Sequence, residues 1–254
     1  MLKDSTINKS EINKFTVLAK EWWNENGKFK TLHEINPIRI QFIKKNIIQH
    51  FKKEDILIEP LANLNILDVG CGAGLLSVPI RRLGANVIGI DPVRRNIKVA
   101  KQYIKNNKIK MTFNCCTTKN LLKDYRRYFD VVLNMEVIEH VNDVEGFLID
   151  NIRLLKHNGI IFISTINKTL QSLFQAKFIA EYCLRWLPIG THKWNKFIQP
   201  KTVIQIMKAN RLKILSVTGV SYNLFQKRWY LSNKMSVNYI ICFKKFSDHS
   251  ENLL

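Results

Sequence analysis

Short apolar runs alternate with helical patterns through the middle of the chain. Five runs predict buried strands, at residues 64–70, 86–91, 111–115, 129–135 and 159–166. Helical spacing between them predicts helices over Leu75–Leu83, Arg94–Asn107 and Glu145–Lys156, the last closed by a His157-Asn158-Gly159 C-cap. Apolar strands separated by helices indicate an α/β fold, with a parallel sheet covered by helices on both faces.

The two flanks of this unit have different patterns. Residues 1–60 are predicted to form a helical extension that contains Trp22 and Trp23. Residues 167–211 begin with a helix and are predicted to form an insertion between the core and the last strands. Residues 212–254 hold two further strand-like runs, 212–220 and 236–243, which bring the predicted strands to seven. With residues 61–166 as the core, the chain is interpreted as a single domain.

Charge is the most unusual feature of the composition. Lys and Arg number 40 against 20 Asp and Glu, which gives a net charge of +20 in 254 residues. An anionic partner, nucleic acid or membrane, would explain this charge. A genome rich in A/T codons would also explain it, because the chain holds 29 Lys, 32 Ile and 25 Asn. No apolar stretch suits a signal peptide or a membrane span, and five scattered cysteines without a CxxC pair indicate a reducing cytoplasm.

The most informative motif is DVGCGAG at Asp68–Gly74, where the first strand ends. Glycines allow the backbone to turn tightly and to approach a ligand closely. The second strand ends at Asp91, whose carboxylate could accept hydrogen bonds from both hydroxyls of a ribose. The glycine loop and Asp91 together predict a nucleoside-binding site. The alternative is that the glycines only shape a turn.

The spacing within the motif indicates which nucleoside binds. A dinucleotide site has GxGxxG, whereas these glycines are spaced GxGxG. The loop also begins with Asp68, which would repel a pyrophosphate. A cationic ligand such as S-adenosylmethionine fits better, because its sulfonium and ammonium groups are both positive.

At this point the chain resembles the class I S-adenosylmethionine-dependent methyltransferases, in DVGCGAG and in two later segments. These are FDVVLNMEVIEHV at 129–141 and LLKHNGIIFIST at 154–165. The flanks resemble one family within that class, the ubiquinone biosynthesis O-methyltransferases, through 22–39, 190–200, 218–223 and 236–240. Asn24 stands where that family has Asp, and His157 where Pro is usual. The resemblance covers residues 11–243 and implies a Rossmann-like, seven-stranded, mostly parallel sheet with an added helical lid.

The resemblance implies six cofactor-binding residues, Arg39, Asp68, Gly70, Gly72, Asp91 and Met135. Gly70 would line the methionine part of the cofactor, Asp91 would hold the ribose, and Met135 would contact the cofactor. Arg39 would pair with the cofactor's carboxylate, a role that suits an always-charged, fork-shaped donor. The alternatives are core packing for Met135 and an ordinary solvated helix cation for Arg39.

Glu136, Glu139 and His140 form an ExxEH group. On a helix these positions share one face, so the three side chains could converge on a divalent cation. The resemblance implies Mg²⁺; the alternative is helix capping or acid–base work by Glu139 and His140. His140 is the preferred base for deprotonating a phenol, because imidazole titrates near neutral pH, and Glu136 the preferred orienting carboxylate.

The substrates implied by the resemblance are polyprenylated phenols and catechols, which lie in membranes. Leu170–Leu187 is mostly apolar outside one charged stripe of Lys177, Glu181 and Arg185. It predicts an interfacial helix or a lid over an apolar tunnel, and the alternative is a buried helix. His192 is a further polar candidate near the acceptor. We expect a cytoplasmic protein held on the inner face of the cell membrane by anionic lipids, with a quinone-synthesis complex as a possible partner.

The sequence leaves two rival functions. An RNA methyltransferase would suit the charge, but the sequence has no separate RNA-binding module and no [N/D]PP[Y/F] element after the fourth strand. A non-catalytic cofactor- or lipid-binding protein would be expected to lose the glycine loop or ExxEH, and both are intact. The net charge is +13 in residues 151–254 against +7 in residues 1–150. The charge of +20 is therefore interpreted as part codon bias and part attraction to anionic lipid, rather than as a sign of nucleic acid.

Overall fold

A computed structural model of the chain describes residues 15–167, 198–223 and 225–246, with only the backbone of Ile166. Within these residues, eight strands form one sheet. The strands are β1 Asn65–Val69, β2 Asn86–Ile90, β3 Thr112–Asn114, β4 Phe129–Met135, β5 Leu155–Ile166, β6 Leu212–Asn223, β7 Arg228–Ser232 and β8 Asn238–Lys245. Their order across the sheet is β3-β2-β1-β4-β5-β8-β6-β7.

The predicted α/β fold is confirmed, with one more strand than expected. Strands β1 to β5 are parallel, β8 is antiparallel to both β5 and β6, and β7 adds an antiparallel edge to β6. The prediction of seven strands missed β7, Arg228–Ser232. This five-residue run has no clear alternation of its own, and its extended form depends on pairing with the end of β6, where Tyr222 lies opposite Trp229.

Helices cover both faces of the sheet. They are α1 Lys30–Phe51, α2 Ser77–Arg82, α3 Arg94–Asn106, α4 Thr118–Tyr125, α5 Val144–Leu154 and α6 Pro200–Ala209. The described residues also include a helical stretch at 15–18 and two 3-10 turns, Ala19–Glu21 and Ile138–His140. The core packs Leu148 and Met207 against one face of the sheet, and Ile43 and Ile80 against the other.

The end of α5 differs from the prediction. The helix stops at Leu154, and the chain continues as β5 from Leu155, so His157-Asn158-Gly159 lies inside the strand rather than capping the helix. Asn158 has a φ of 62°, and the β4–β5 register shifts between Phe129 and Val131. The turn-forming residues therefore make an irregularity in β5 instead of a helix end.

The predicted insertion is described only in part. Leu170–Leu187 and His192 lie outside the described residues, so their predicted roles stay predictions. Helix α6, which lies within the predicted range 167–211, buries Val203 and Met207 completely and belongs to the core. None of the described helices is long and apolar enough to cross a membrane.

Candidate functional site

The glycine loop follows β1 at the carboxyl edge of the sheet. Gly70 and Gly72 have φ values of 67° and 56°, a backbone region that side chains disfavour. A Cβ atom at Gly72 would lie 2.5 Å from the Trp22 ring, and one at Gly70 would lie 2.5 Å from a Val137 methyl group. The loop is tied to β2 where the Cys71 amide donates to the Ile90 carbonyl at 2.9 Å. Both glycines are thus required by this fold, whatever the loop binds.

Asp91, directly after β2, organises this edge of the sheet. Its Oδ2 accepts a hydrogen bond from the Gly72 amide at 3.0 Å. Its Oδ1 accepts from the Val93 amide at 2.8 Å and from Asn96 Nδ2 at 3.3 Å. Burial raises the Asp91 pKa to about 6, while these donors favour the charged form. A carboxylate has about four acceptor positions, so one remains for a ligand hydroxyl beside the glycine loop.

Asn96 and Trp22 complete a network that the sequence patterns did not predict. Trp22 Nε1 donates to Asn96 Oδ1 at 2.9 Å, and Asn96 is 1% exposed. The Trp22 ring stacks on Phe29 with centroids 3.9 Å apart. Trp23 Nε1 donates to the Ala73 carbonyl at 3.2 Å. The two tryptophans therefore attach the N-terminal segment to the glycine loop, and Asn96 links that segment to Asp91.

This network makes Asn96 a positioning residue for Asp91. Replacing Asn96 with Leu removes the donor to Asp91 Oδ1, and we expect affinity for S-adenosylhomocysteine to fall by about tenfold, as for loss of one hydrogen bond to a charged group. Since that donor favours the carboxylate, its loss raises the Asp91 pKa above about 6. The pH below which affinity declines should therefore move upward, which calorimetric titrations across pH would measure.

Asn107 provides the matched control for this prediction. It lies just after α3, and its side chain donates to the Tyr103 carbonyl at 2.9 Å, away from Asp91. Asn107→Leu should leave both the affinity and its pH midpoint unchanged. A loss of affinity in Asn96→Leu without any shift in midpoint would mean that Asn96 acts on stability alone.

Asp68 and Gly72, both predicted to bind the cofactor, have protein partners. Asp68 is 2% exposed and accepts a hydrogen bond from the Ser77 hydroxyl at the start of α2. Burial, and secondarily the Asp91 charge, raise the Asp68 pKa to about 7. Gly72 is bonded to Asp91 and covered by Trp22. Both residues fix the shape of the loop in this structure.

The partly exposed side of this edge contains other predicted residues. Gly70, Met135, Glu136 and His140 are each half-buried. Met135 ends β4 and also packs against the core of one face. This side adjoins the glycine loop, because β1 and β4 are neighbouring parallel strands whose carboxyl ends coincide. It is the part of the described structure that offers both the loop and polar side chains to a ligand.

Arg39 and Glu136 come together here from positions 97 residues apart. Arg39 Nη2 donates to Glu136 Oε1 at 2.5 Å, with side-chain exposures of 6% and 18%. The Ser164 hydroxyl donates to the same oxygen at 2.8 Å. Arg39 Nε is buried and has no hydrogen-bond partner. Arg39 is therefore not the solvated helix cation of the alternative interpretation.

The ExxEH group differs from the prediction in its backbone. Glu136 has a φ of 58° and precedes the 3-10 turn Ile138–His140, so the three side chains do not share one face of a helix. Glu139 is buried with Oε2 unpartnered, and its pKa rises to about 8 because of burial and the Glu136 charge. The His140 ring makes an edge contact with Phe15, with centroids 5.3 Å apart.

The donors as placed do not fit a metal ion. Among the described residues, no three His, Cys, Asp or Glu side chains are grouped so that they could bind one. Glu136 is already bound by Arg39 and Ser164. Burial, and next the Glu136 charge, raise the pKa of Glu139, which disfavours the carboxylate form that a metal ligand needs.

Comparisons with known proteins agree with the fold and identify the family of the chain. The sequence model of a methyltransferase domain family matches residues 37–217. Proteins named ubiquinone biosynthesis O-methyltransferase are 51% identical in Pelagibacter ubique and 42% identical in Bartonella bacilliformis, over 95% of this chain and 99% and 97% of theirs.

Solved structures are similar in fold. The magnesium protoporphyrin IX methyltransferase from Synechocystis, with bound SAH, has a TM-score of 0.57 at 17% identity, covering 95% of this chain and 90% of that one. A SAM-dependent methyltransferase from Thermotoga maritima has a TM-score of 0.60 at 16% identity, covering 92% and 99%.

Proposed function

Because the chain belongs to the ubiquinone biosynthesis O-methyltransferase family, we propose that it transfers a methyl group from S-adenosylmethionine to a phenolic or catechol hydroxyl of a polyprenylated ubiquinone precursor. The observation that carries this proposal is the identity of 51% over nearly the whole of both chains. A generic methyltransferase would share only the glycine loop and sheet. Here the match extends to the flanks that distinguish the family.

The described residues fit the cofactor. Asp91 retains an acceptor for a ribose hydroxyl next to the half-exposed Gly70. Arg39 Nε is a buried donor without a partner, and such a donor is costly unless an acceptor reaches it. A carboxylate there would satisfy it, in agreement with the predicted role of Arg39. When bound, the cofactor supplies an electrophilic methyl group on a positively charged sulfur.

His140 is the group that we assign to proton removal. A phenol has a pKa of about 10 and is a poor nucleophile at neutral pH. The His140 imidazole would take the hydroxyl proton and so make the oxygen nucleophilic toward the methyl group that the cofactor supplies. Phe15 packs against the ring edge-on and limits its orientations. The chain's remaining contribution is to hold the hydroxyl in line with the methyl group and away from water.

The predicted Mg²⁺ plays no part in this mechanism. Glu136 could bind a cation only after its hydrogen bond to Arg39 breaks. The cofactor's carboxylate, by replacing Glu136 at Arg39, would favour that change of partner. Chelation tests the metal prediction with the full-length protein. If EDTA lowers the methylation rate and Mg²⁺ restores it, the metal prediction is confirmed, and Glu136 must then leave Arg39 to bind the cation. If EDTA leaves the methylation rate unchanged, the metal prediction is wrong.

Location at the cytoplasmic face of the cell membrane is part of the proposal. It is supported by the net charge of +20 and by the apolar tail of the proposed substrate. Flotation of the intact protein with anionic vesicles tests it. Protein that stays at the bottom of the gradient, with or without vesicles, would contradict membrane association without affecting the proposed reaction.

Complementation tests the function in cells. In a bacterial strain lacking its own ubiquinone biosynthesis O-methyltransferase, expression of this chain should restore ubiquinone, and Asp91→Ala should not, because that change removes the proposed ribose acceptor. Ubiquinone absent despite soluble, folded protein would contradict the proposal. RNA methylation above the level in the same strain without this chain would support the rival function instead.

A further inference from the structure

Two exposed apolar clusters lie on the described part of the chain. The loop before β1 exposes Ile56 and Ile58 by 91% and 95%. The connection between β6 and β7 exposes Phe225 by 99%. The Phe225 amide donates to Asn223 Oδ1 at 3.0 Å, so a local turn holds the ring outward. We call Asn223 with residues 225–228 the hairpin tip.

The two clusters lie at opposite edges of the sheet. β6 is antiparallel to β8, which is antiparallel to β5, so β6 runs in the same direction as β1. The hairpin tip follows the end of β6 and therefore lies at the carboxyl edge, where the glycine loop and Glu136 lie. The loop containing Ile56 and Ile58 precedes β1 and lies at the other edge.

The clusters also differ in charge. The hairpin tip carries Lys227 and Arg228, both exposed, and the β7–β8 connection adds exposed Lys234. The sequence from 182 to 247, which contains the tip, holds twelve Lys and Arg and no acid. Codon bias toward Lys does not explain 66 residues without Asp or Glu. Around Ile56 and Ile58, by contrast, the acids Glu54, Asp55 and Glu59 outnumber the adjacent cations Lys52 and Lys53.

Polar groups beside the hairpin tip add to this surface. A cavity of about 470 Å³ lies along β6 and β7. Its lining includes Ser221, Tyr230, Ser232, Asn233, Lys234 and Ser236. The Ser221 and Ser232 hydroxyls donate within the protein, whereas the exposed Asn233 amide and Lys234 ammonium suit the phosphate oxygens of a lipid headgroup.

We propose that the hairpin tip docks on an anionic lipid bilayer, with Phe225 inserted at the headgroup level and Lys227, Arg228 and Lys234 against the phosphates. This inference rests on the proposed function, because a polyprenylated substrate must be taken from a membrane. An aromatic ring flanked by cations suits an anionic membrane surface, because the ring inserts at the interface and the cations are attracted to the negative lipids. Docking here turns the carboxyl edge of the sheet, and with it the candidate site, toward the bilayer.

Co-sedimentation of the full-length protein with vesicles tests the docking. Phosphatidylcholine vesicles containing phosphatidylglycerol should bind the protein, and pure phosphatidylcholine vesicles should bind it weakly. Phe225→Ser should lower partitioning by about tenfold, since the ring loses its apolar burial. Lys227→Gln with Arg228→Gln should lower it by about 25-fold, or about fivefold per charge, and should reduce its salt dependence.

The other exposed cluster provides the matched control. Ile56→Ser with Ile58→Ser removes comparable apolar exposure at the opposite edge and should leave partitioning unchanged. All these variants should retain full methylation of a water-soluble, short-chain catechol, because none lies in the proposed catalytic machinery. Unchanged partitioning of both hairpin variants, or an equal loss in the Ile56/Ile58 variant, would overturn the docking, while loss of methylation in the unmutated protein would count against the proposed function.

Discussion

Replacing His140 with alanine is expected to lower kcat by about 10²- to 10⁴-fold, the usual contribution of a general base. The phenol must then lose its proton to water, while the groups that bind the cofactor stay in place. His140 lies on the turn after β4, whereas Asp91 and its network lie after β2. Affinity for S-adenosylhomocysteine should therefore change little. Steady-state kinetics combined with calorimetric titration of each variant measure both effects.

His50→Ala is the control for this variant. His50 Nε2 lies 2.8 Å from the Asn158 carbonyl, near the opposite edge of the sheet, so its loss should leave kcat unchanged. The rate of His140→Ala should recover as pH rises, because the phenol ionises increasingly without help. If kcat of His140→Ala equalled that of the unmutated enzyme at neutral pH, His140 would not be the base.

Replacing Arg39 with leucine should lower both stability and cofactor affinity. Glu136 would lose the cation at 2.5 Å from its carboxylate, and breaking a buried ion pair costs about 3–5 kcal/mol. We expect the lower end, about 3 kcal/mol in the free energy of unfolding, since Ser164 still donates to Glu136. Affinity for S-adenosylhomocysteine should fall by about 10- to 100-fold, because the cofactor's carboxylate loses a charged donor. Denaturant titration and calorimetry measure the two effects separately.

Two comparisons separate the roles of Arg39. A variant carrying Arg39→Leu and Glu136→Leu should recover much of the lost stability, because no buried charge is left unpaired. It should not recover cofactor affinity. Methylthioadenosine, which lacks the amino-acid part of the cofactor, should bind the Arg39 variant as tightly as the unmutated protein. If its affinity fell in parallel with that of S-adenosylhomocysteine, Arg39 would not be the carboxylate ligand.

The parts of the site that follow from local sequence were predictable. Gly70 and Asp91 were found because each follows a buried strand, and parallel neighbouring strands bring their carboxyl ends together. The predicted alternation of strands and helices matches the sheet from β1 to β5. Strand β7 was missed because its conformation depends on pairing with β6 rather than on its own pattern.

Contacts between distant residues were not predictable in the same way. The Arg39–Glu136 pair joins residues 97 apart, and the Trp22–Asn96 bond joins residues 74 apart. The prediction that the ExxEH side chains share one face was wrong because it assumes a regular helix. Glu136 instead has a positive φ, and a turn begins there. Asn96 gave no signal, since a buried Asn in an amphipathic helix is recognisable only once its partners are known.

The central claim is tested most directly by methyl transfer in vitro. The full-length protein is incubated with S-adenosylmethionine labelled in its methyl group and with a catechol that carries a short prenyl chain. We expect label in a methyl ether of the catechol and none in added RNA, with the signal greatly reduced in His140→Ala. No labelled ether with the unmutated, folded protein, with or without added Mg²⁺, would contradict the account.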